Sequence, residues 1–364
     1  MNKWILVFIL DGFGIGAAKD ASLFGDEGAD TCRHLLHCQP AAHFPTLTTL
    51  GLFDPAKRLV LEPQNPNKDT LSGLHELLGD IVPKWTTFSS NGIPDELLRR
   101  FENLIHTTVI NGGKGSGTEI IQRLGPDHLA TGSPIVYTSA DSVFQIASHE
   151  EKYPLSTLYY WACVARMLCN QNPILGRVIA RPFLGQPAPG FYRTPFRKDF
   201  PFSGGKIPLL EALEKHQISM MGNRIICDLF PDTPMIPILG KNNTDTLEQV
   251  LTILQTRKQK DNPSRILFVD LEDFDMVYGH RRDPAGYANA MMTFDTYLHQ
   301  CIAFLEPQDL CLLTADHGND PTFTAHTDHT RENVPLVSYP PHSLPPGTYP
   351  MSLVAQTIMR HFFC

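Results

Sequence analysis

The chain has 364 residues, of which 42% are hydrophobic and 19% charged, and its formal net charge is -8. This length exceeds what one hydrophobic core usually supports, so two domains are expected. The negative charge argues against nucleic acid as the main partner, because a phosphate backbone requires a basic surface. No apolar run approaches the 18 or so residues that would span a membrane.

The eight cysteines are irregularly spaced and include no Cys-x-x-Cys pair. Several lie inside apolar runs, which predicts buried thiols in a reducing compartment rather than disulfides or a zinc knuckle. The cytoplasm is therefore the expected location. The apolar N-terminal segment is followed by no small-residue cleavage site, so we interpret it as a strand and not as a signal peptide.

The first predicted element is that segment, Trp4 to Leu10, which stops at Asp11 and is followed by the glycine-rich stretch 12–16. Its continuous apolar character predicts a buried strand. Open α/β sheets hold their ligands at the carboxyl ends of such strands, so Asp11 is a candidate site residue.

A threonine is the next candidate, in the segment Lys68-Asp69-Thr70. A helix is predicted from Thr70 to Leu78, which would place the Thr70 hydroxyl at a helix N-terminus where phosphoryl groups bind. A threonine hydroxyl becomes a nucleophile when a metal or a base removes its proton. Alternatively, Asp69 or Thr70 only caps the helix, and the two roles are compatible.

The middle of the chain alternates helical and strand patterns and predicts an inserted domain. A helix is expected from Pro94, strands at Pro134–Tyr137 and Arg177–Ala180, and a helix from Leu155 to Leu168. Proline- and glycine-containing segments on both sides predict hinges. We therefore expect a core domain formed by residues 1–85 and 202–364, with a smaller α+β cap domain at 86–201.

Within this insertion, the glycine-rich stretch 111–118 resembles a nucleotide P-loop but does not match its pattern. Thr108 stands where the first glycine is required, and Gly115 follows Lys114 instead of serine or threonine. We interpret the stretch as a loop before a helix at Glu119, which could contribute to a substrate pocket.

Four arginines follow at short intervals, and their guanidinium groups suit bidentate phosphate binding in a chain of negative charge. The alternative, expected for at least one of them, is a solvated surface side chain. The four are Arg177, Arg181, Arg193 and Arg197.

Beyond the insertion, a helix is predicted at 208–215, a strand at 218–222, and helices at 246–255 and 291–305. Two further apolar runs then repeat the pattern of the first strand. Ile266–Val269 leads to Asp275 and His280, and Leu310–Leu313 leads to Asp316 and His317, with His329 twelve residues later. Asp275 and His280 are five residues apart and cannot be i, i+4 neighbours on a helix, but they converge if the chain turns at Gly279.

These carboxylates and imidazoles are suitable ligands for divalent cations. Asp11, Asp316 and His317 form one candidate set, and Asp275, His280 and His329 form another. Six ligands exceed what one tetrahedral ion takes and suit two adjacent ions, which can hold the attacking and leaving oxygens of a displacement at phosphorus. For each pair of aspartate and histidine taken alone, the alternative is an ordinary polar loop.

With these motifs assembled, the chain resembles the phosphopentomutase family of the alkaline phosphatase superfamily over nearly its whole length. The resemblance is carried by residues 11–16, 28–31, 68–70, 116–120, 135–147, 176–183, 278–283, 314–321 and 327–332. It implies an alkaline-phosphatase-like α/β core, with a central, mostly parallel sheet flanked by helices and a smaller cap.

The resemblance also implies an isomerase that moves a phosphate between C1 and C5 of ribose or 2-deoxyribose through a phosphothreonine and a bisphosphate intermediate. Thr70 would carry the phosphoryl group. Two Mn²⁺ ions would be bound, one by Asp11, Asp316, His317 and Thr70 and the other by Asp275, His280 and His329. Asp141, Arg177 and Arg193 would bind the sugar phosphate, with neither nucleic acid nor membrane as a partner.

The chain departs from the family pattern in several places, one of which is an added residue between His317 and His329. Gly73-Leu74-His75-Glu76 replaces the usual Gly-His-Trp-Glu, and Asn223-Arg224 occupies the region where a lysine is usual. The alternative function is therefore a metal-dependent phosphatase, or a mutase of the same superfamily that acts on another phosphorylated sugar or acid.

Overall fold

The computed structural model describes residues 2–89, 91–139, 143–170, 172–257 and 263–363. Its strands are β1 (Trp4–Ile9), β2 (Leu59–Glu62), β3 (Ile110–Lys114), β4 (Ile135–Thr138), β5 (Phe144–His149), β6 (Arg177–Gln186), β7 (Gly190–Arg193), β8 (Lys198–Pro201), β9 (Ser219–Asn223), β10 (Met235–Ile238), β11 (Arg265–Asp270), β12 (Leu310–Thr314), β13 (Val334–Tyr339) and β14 (Thr348–Pro350). Its helices are α1 (Thr31–Cys38), α2 (Pro45–Leu50), α3 (Thr70–Leu77), α4 (Asp95–Ile105), α5 (Gly117–Thr131), α6 (Leu155–Leu168), α7 (Pro208–Lys215), α8 (Arg224–Leu229), α9 (Asn243–Arg257), α10 (Pro284–Ala303) and α11 (Leu353–Phe363).

The chain forms two compact units. One comprises Met1–Val82 and Gly204–Cys364, and the other comprises Pro83–Ser203. The second unit is thus an insertion between two segments that fold together. That the first unit is a catalytic core and the second a cap remains a prediction.

The first unit is built on an eight-stranded sheet with the order β10-β9-β11-β1-β12-β13-β2-β14. The strands from β10 to β12 are all parallel, and β13 pairs antiparallel with both of its neighbours. The predicted α/β fold with a mostly parallel central sheet is confirmed. The three apolar runs that predicted strands form β11, β1 and β12, which are adjacent in the sheet.

Burial explains why these three strands lack the polar alternation of surface strands. All residues of β1 and β12 are buried, as expected for parallel strands covered on both faces. Aromatic rings fill the space between β1 and α10. Phe8 lies 5.4 Å from Phe294, and Phe274 stacks on Tyr287 at 5.2 Å between ring centroids.

The second unit contains a mixed sheet of order β3-β4-β5-β6-β7, with β8 paired to β6. Successive residues of β4 point to opposite faces, which is the two-residue period of a strand. Val136 packs into a core with Phe101 of α4 and Trp161 of α6, whereas Tyr137 packs with Ile120 of α5. The predicted α+β character of this segment is therefore present.

The prediction of a loop over residues 111–118 was wrong for its first half. Residues 111–114 belong to β3, which pairs in parallel with β4 and has an irregularity between Asn111 and Gly113. Glycine is depleted in strands, so composition alone pointed to a loop. Here glycine is required, since a Cβ on Gly112 would lie 2.8 Å from the Cβ of Tyr137.

The cysteines also differ from expectation in part. Four of them are buried as predicted, but Cys38 and Cys163 are exposed and Cys227 is half-buried. The predicted helices at 246–255 and 291–305 begin earlier, as α9 and α10. Within the described ranges, no helix has both the length and the apolarity needed to cross a membrane.

Candidate metal centre

The candidate site lies at the carboxyl ends of three adjacent parallel strands. Asp270 is the last residue of β11 and pairs in register with Ile9 of β1, which pairs on its other side with Thr314 of β12. Asp11 and Asp316 each follow two residues after these paired positions. The sheet register therefore brings carboxylates from the two ends of the sequence together.

Asp11, Asp316 and His317 meet at this edge of the sheet. His317 Nε2 lies 3.1 Å from Asp316 Oδ2 and 3.4 Å from Asp11 Oδ1, and all three residues are at most 5% exposed. The Gly12 backbone N–H donates to Asp316 Oδ1 at 3.1 Å, which fixes that carboxylate.

Thr70 completes this group from a separate element. Its Oγ1 lies 3.2 Å from His317 Nε2, and its residue is 9% exposed. Thr70 is the first residue of α3, and Asp69 accepts from the Ser72 backbone in a reciprocal capping box. The capping role and the site position of this segment coexist.

Glycine at position 73 allows α3 to approach the segment after β12 closely. A Cβ there would overlap the backbone carbonyl of Asp316. Arg331 fixes the loop that precedes α3, because its Nη2 donates to the Asn65 carbonyl at 2.8 Å and its Nε donates to Asp20 at 2.9 Å. Thr70 is therefore held by both the helix and the loop before it.

Asp275, His280 and His329 form the second group. His280 Nε2 lies 3.2 Å from Asp275 Oδ2, and His329 Nε2 lies 3.6 Å from Asp275 Oδ1. Residues Phe274–Gly279 form a π-helical turn in which the His280 N–H donates to the Asp275 carbonyl. This i to i+5 geometry brings side chains five residues apart together, where an α-helix would not.

The two groups of side chains overlap. Three clusters of potential ligand atoms have all their atoms within 4.8 Å of one another: Asp275, His280 and His329; Asp11, Asp275 and His317; and Asp11, Asp270 and Asp316. Asp275 therefore belongs to two clusters and Asp11 to two. All six residues predicted as metal ligands lie in these clusters.

The site has an excess of buried carboxylates, which suits a bound cation. Asp11 Oδ1, Asp316 Oδ2 and both oxygens of Asp270 are buried without a hydrogen-bond partner in the described part of the chain. Burial, and then the neighbouring Asp316, raise the pKa of Asp11 well above its ordinary value, and the same two causes raise the pKa of Asp270. Buried carboxylates with raised pKa values are stabilised by a bound divalent cation.

The two central imidazoles have opposite electrostatic environments. Burial and then the adjacent His329 lower the pKa of His317 to about 3, so His317 is neutral and ready to act as a ligand. Burial alone would lower the pKa of His329, but the Asp275 carboxylate outweighs it and raises the pKa to about 9. His329 therefore carries a proton at neutral pH when no cation is bound.

Metal affinity is accordingly expected to increase with pH from 7 to 9. A cation must displace the proton of His329, and this competition weakens as the pH approaches the pKa of about 9. Calorimetric titration of Mn²⁺ in buffers of different ionisation enthalpy should detect proton release at pH 7 and less release above pH 9. Equal affinity and no proton release across this range would contradict the prediction that His329 is a metal ligand.

Three residues that lie at the site were not predicted from the sequence. Asp270 joins the carboxylate cluster, and Asn319 donates from Nδ2 to Asp275 Oδ1 at 2.6 Å. Arg282 donates to Asn319 Oδ1 at 2.7 Å and to the Gly279 carbonyl at 2.8 Å, which fixes the loop that carries His280. The only available signal was their position inside the same strand-end motifs.

The residues that depart from the family pattern lie outside the ligand clusters. His75 is buried against Phe230, and its Nδ1 lies 2.8 Å from Asp80 Oδ2. Asn223 bridges two strand ends, because its Nδ2 donates to the Asp270 carbonyl at 2.7 Å and its Oδ1 accepts from the Asp270 N–H. Both departures are accommodated by local packing.

The predicted sugar-phosphate residues lie in the insertion. Arg177 begins β6 and has its Nη1 3.8 Å from Asp199 Oδ2, whereas Arg193 ends β7 and is exposed. Asp141 lies outside the described residues. Arg197 pairs with Asp199 at 2.7 Å. Arg181 is half-buried and donates to Gln145, so Arg181 is not a solvated surface side chain.

The fold and these clusters define an α/β metal-binding enzyme, and residues 235–362 match the Metalloenzyme superfamily. The PH0037 protein from Pyrococcus horikoshii shares the fold, with a TM-score of 0.50 at 14% identity over 99% of this chain and 97% of that chain. A phosphopentomutase from Dictyoglomus turgidum is 39% identical over 356 residues, covering 94% of this chain and 88% of the relative. One from Carboxydothermus hydrogenoformans is 40% identical over 351 residues, covering 93% and 89%. The chain belongs to the phosphopentomutase family.

Proposed function

We propose that this chain interconverts ribose or 2-deoxyribose 1-phosphate and the corresponding 5-phosphate. The single observation that carries the mechanism is the convergence of Thr70 Oγ1 with the buried cluster around His317. Sequence similarity to a phosphopentomutase, at 39% identity over 94% of the chain, supports this reaction. The enzyme is then an isomerase that transfers a phosphate within one sugar.

Seven side chains are proposed to bind two Mn²⁺ ions. Asp11, Asp316, His317 and Thr70 would hold one ion, and Asp275, His280 and His329 the other, since mixed carboxylate and imidazole sets suit this metal. When bound, the ions neutralise charge on the transferred phosphoryl group and on the attacking and leaving oxygens. Seven free thiols among the described residues support a cytoplasmic location.

Thr70 is proposed to alternate between a free hydroxyl and a phosphate ester. A hydroxyl of the sugar monophosphate attacks the phosphothreonine, the bond from phosphorus to Thr70 Oγ1 breaks, and a sugar bisphosphate forms. Thr70 Oγ1 then attacks the other phosphorus, the original ester bond breaks, and the isomeric monophosphate leaves. The burial of Thr70 limits access of water, which would otherwise hydrolyse the ester.

Phosphorus NMR separates this function from its alternative. Ribose 1-phosphate incubated with enzyme, Mn²⁺ and a trace of ribose bisphosphate is expected to convert to ribose 5-phosphate with no accumulation of inorganic phosphate. Release of inorganic phosphate at the rate of turnover would identify a phosphatase instead. Turnover of another phosphorylated sugar or acid, with none of ribose phosphate, would identify a different mutase.

A further inference from the structure

The buried carboxylate of Asp26 contacts two of the segments that carry site residues. Asp26 is fully buried, and it belongs to none of the three ligand clusters found among the described residues. Its Oδ2 accepts from Lys68 Nζ at 3.0 Å, and its Oδ1 lies 2.7 Å from His326 Nε2. The Arg331 backbone N–H donates to Oδ2 at 2.7 Å. One carboxylate therefore joins segments that are far apart in the sequence.

The contact with Lys68 restrains the segment before the proposed nucleophile. Lys68 stands two residues before Thr70, and its side chain is 14% exposed. Besides contacting Asp26, Lys68 Nζ lies 3.5 Å from Asp328 Oδ2 and 5.7 Å from the centre of the Phe24 ring. Fixing a lysine side chain costs conformational entropy, which two carboxylates and an aromatic face offset here. The ammonium group is thus held in one place, and the loop before Thr70 with it.

The other two contacts restrain the loop that carries His329. His326 lies three residues before this proposed metal ligand and Arg331 lies two residues after it, so Asp26 contacts the loop on both sides of the ligand. The Arg331 guanidinium in turn donates to the Asn65 carbonyl in the loop before α3. The His329 loop and the loop before Thr70 therefore depend on the same side chain for their relative position.

The backbone around Asp26 is itself fixed by hydrogen bonds. Its N–H donates to the Ala21 carbonyl at 3.0 Å, and its carbonyl accepts from the Ala29 N–H at 3.1 Å. Buried ion pairs add little net stability, because the desolvation of both charges offsets their attraction. What such a pair contributes is one defined arrangement of the groups that it joins. The Asp26 carboxylate is therefore suited to set the separation of two loops.

We propose that Asp26 is a positioning residue, which holds the loop before Thr70 and the loop of His329 at the separation that phosphoryl transfer requires. Thr70 Oγ1 and the His329 ring both lie against His317, at 3.2 Å from its Nε2 and at 4.1 Å between ring centroids. A small shift of either loop would disturb this arrangement. The effect on the reaction rests on the proposed function, whereas the restraint of the loops does not.

Hydrogen exchange of the metal-free full chain tests the restraint independently of activity. Relative to the wild type, Asp26→Ala is expected to speed exchange about tenfold or more in residues 63–70 and 326–331, because loss of a charged hydrogen-bond partner favours local opening. Exchange elsewhere should change less.

The matched control is Asp309→Ala. Asp309 is also buried, and it accepts from the Trp4 N–H at 2.8 Å and from Arg257 Nη2 at 3.0 Å. It precedes β12, whose other end leads to Asp316, so it lies at the end of that strand away from the metal centre. Its replacement should destabilise the chain without selectively speeding exchange in the two loops.

Kinetics at saturating Mn²⁺ test the consequence for the reaction. Asp26→Ala should lower kcat about 100-fold, the scale of a displacement of about 1 Å in a reacting group. The KM for ribose 1-phosphate should change less than about twofold, since the groups that bind the substrate are kept. Asp309→Ala should retain the wild-type kcat per folded molecule.

Asp26→Asn is the second variant and keeps the test valid if the alanine variant does not fold. Its amide still reaches His326 and Arg331 but no longer neutralises Lys68. Exchange should therefore be faster in residues 63–70 than in 326–331, and kcat should fall about tenfold.

Two results would overturn the proposal. One is wild-type exchange in residues 63–70 of a folded Asp26 variant, and the other is a wild-type kcat per folded molecule, which would leave Asp26 with a role in stability alone. If the enzyme releases inorganic phosphate instead of isomerising the sugar, the same variants are assayed for that release. Selective loosening of the two loops with a reduced kcat for phosphate release would then support the positioning role and reject only the proposed function.

Discussion

Replacement of Thr70 by valine is expected to reduce mutase activity by about 10⁴-fold or more, the scale of losing a catalytic nucleophile. Valine keeps the branched shape of threonine, so α3 should still pack against the Asp316 backbone. The change removes only the Oγ1 that lies 3.2 Å from His317. Activity is measured as conversion of ribose 1-phosphate to ribose 5-phosphate at saturating Mn²⁺.

Two controls define what this loss means. Thr70→Ser keeps a hydroxyl and should retain measurable turnover. Thr252→Val removes a threonine hydroxyl on the exposed side of α9, where it donates to the Glu248 carbonyl, and should leave activity unchanged. A Thr70→Val enzyme with near-normal turnover would show that another group carries the phosphate.

Replacement of Asp275 by asparagine is expected to weaken metal binding by more than about 100-fold, the upper range for loss of an outer-shell partner. Asp275 is the residue common to the cluster with His280 and His329 and the cluster with Asp11 and His317. Loss of its charge should therefore affect both ions, and activity should fall with them. Calorimetry and metal analysis after desalting measure the effect.

The matched control is Glu272→Gln, which neutralises a carboxylate in the same segment. Glu272 pairs with Arg224 and is absent from the ligand clusters, although its charge helps to raise the pKa of Asp11 and Asp270, so the number of bound ions should not change. Wild-type metal content in Asp275→Asn would refute its place between the two ions.

The sequence was most informative where burial dictates composition. Strands covered on both faces must be apolar along their whole length, so β1, β11 and β12 were visible as runs ending in acids. That the two ends of the chain fold into one domain followed from the need to bring these acids to one site. The helix at Thr70 was predicted by the capping signal of Asp69.

Other features depend on geometry that a linear pattern does not carry. The approach of Asp275 to His280 requires a π-helical turn, and side-chain spacing rules assume the α-helical period. Asp270 enters the carboxylate cluster through the register of β11 with β1, which sequence does not give. The strand β3 was missed because Gly112 avoids a clash with Tyr137 that only the folded sheet creates.

The role of Thr70 as the phosphate carrier is tested most directly by mass spectrometry of the intact enzyme and its peptides after incubation with ribose bisphosphate. The proposed mechanism predicts one phosphate on the peptide that contains Thr70, lost again when ribose monophosphate is added. A phosphate on another residue, or an unmodified enzyme that is fully active, would contradict it.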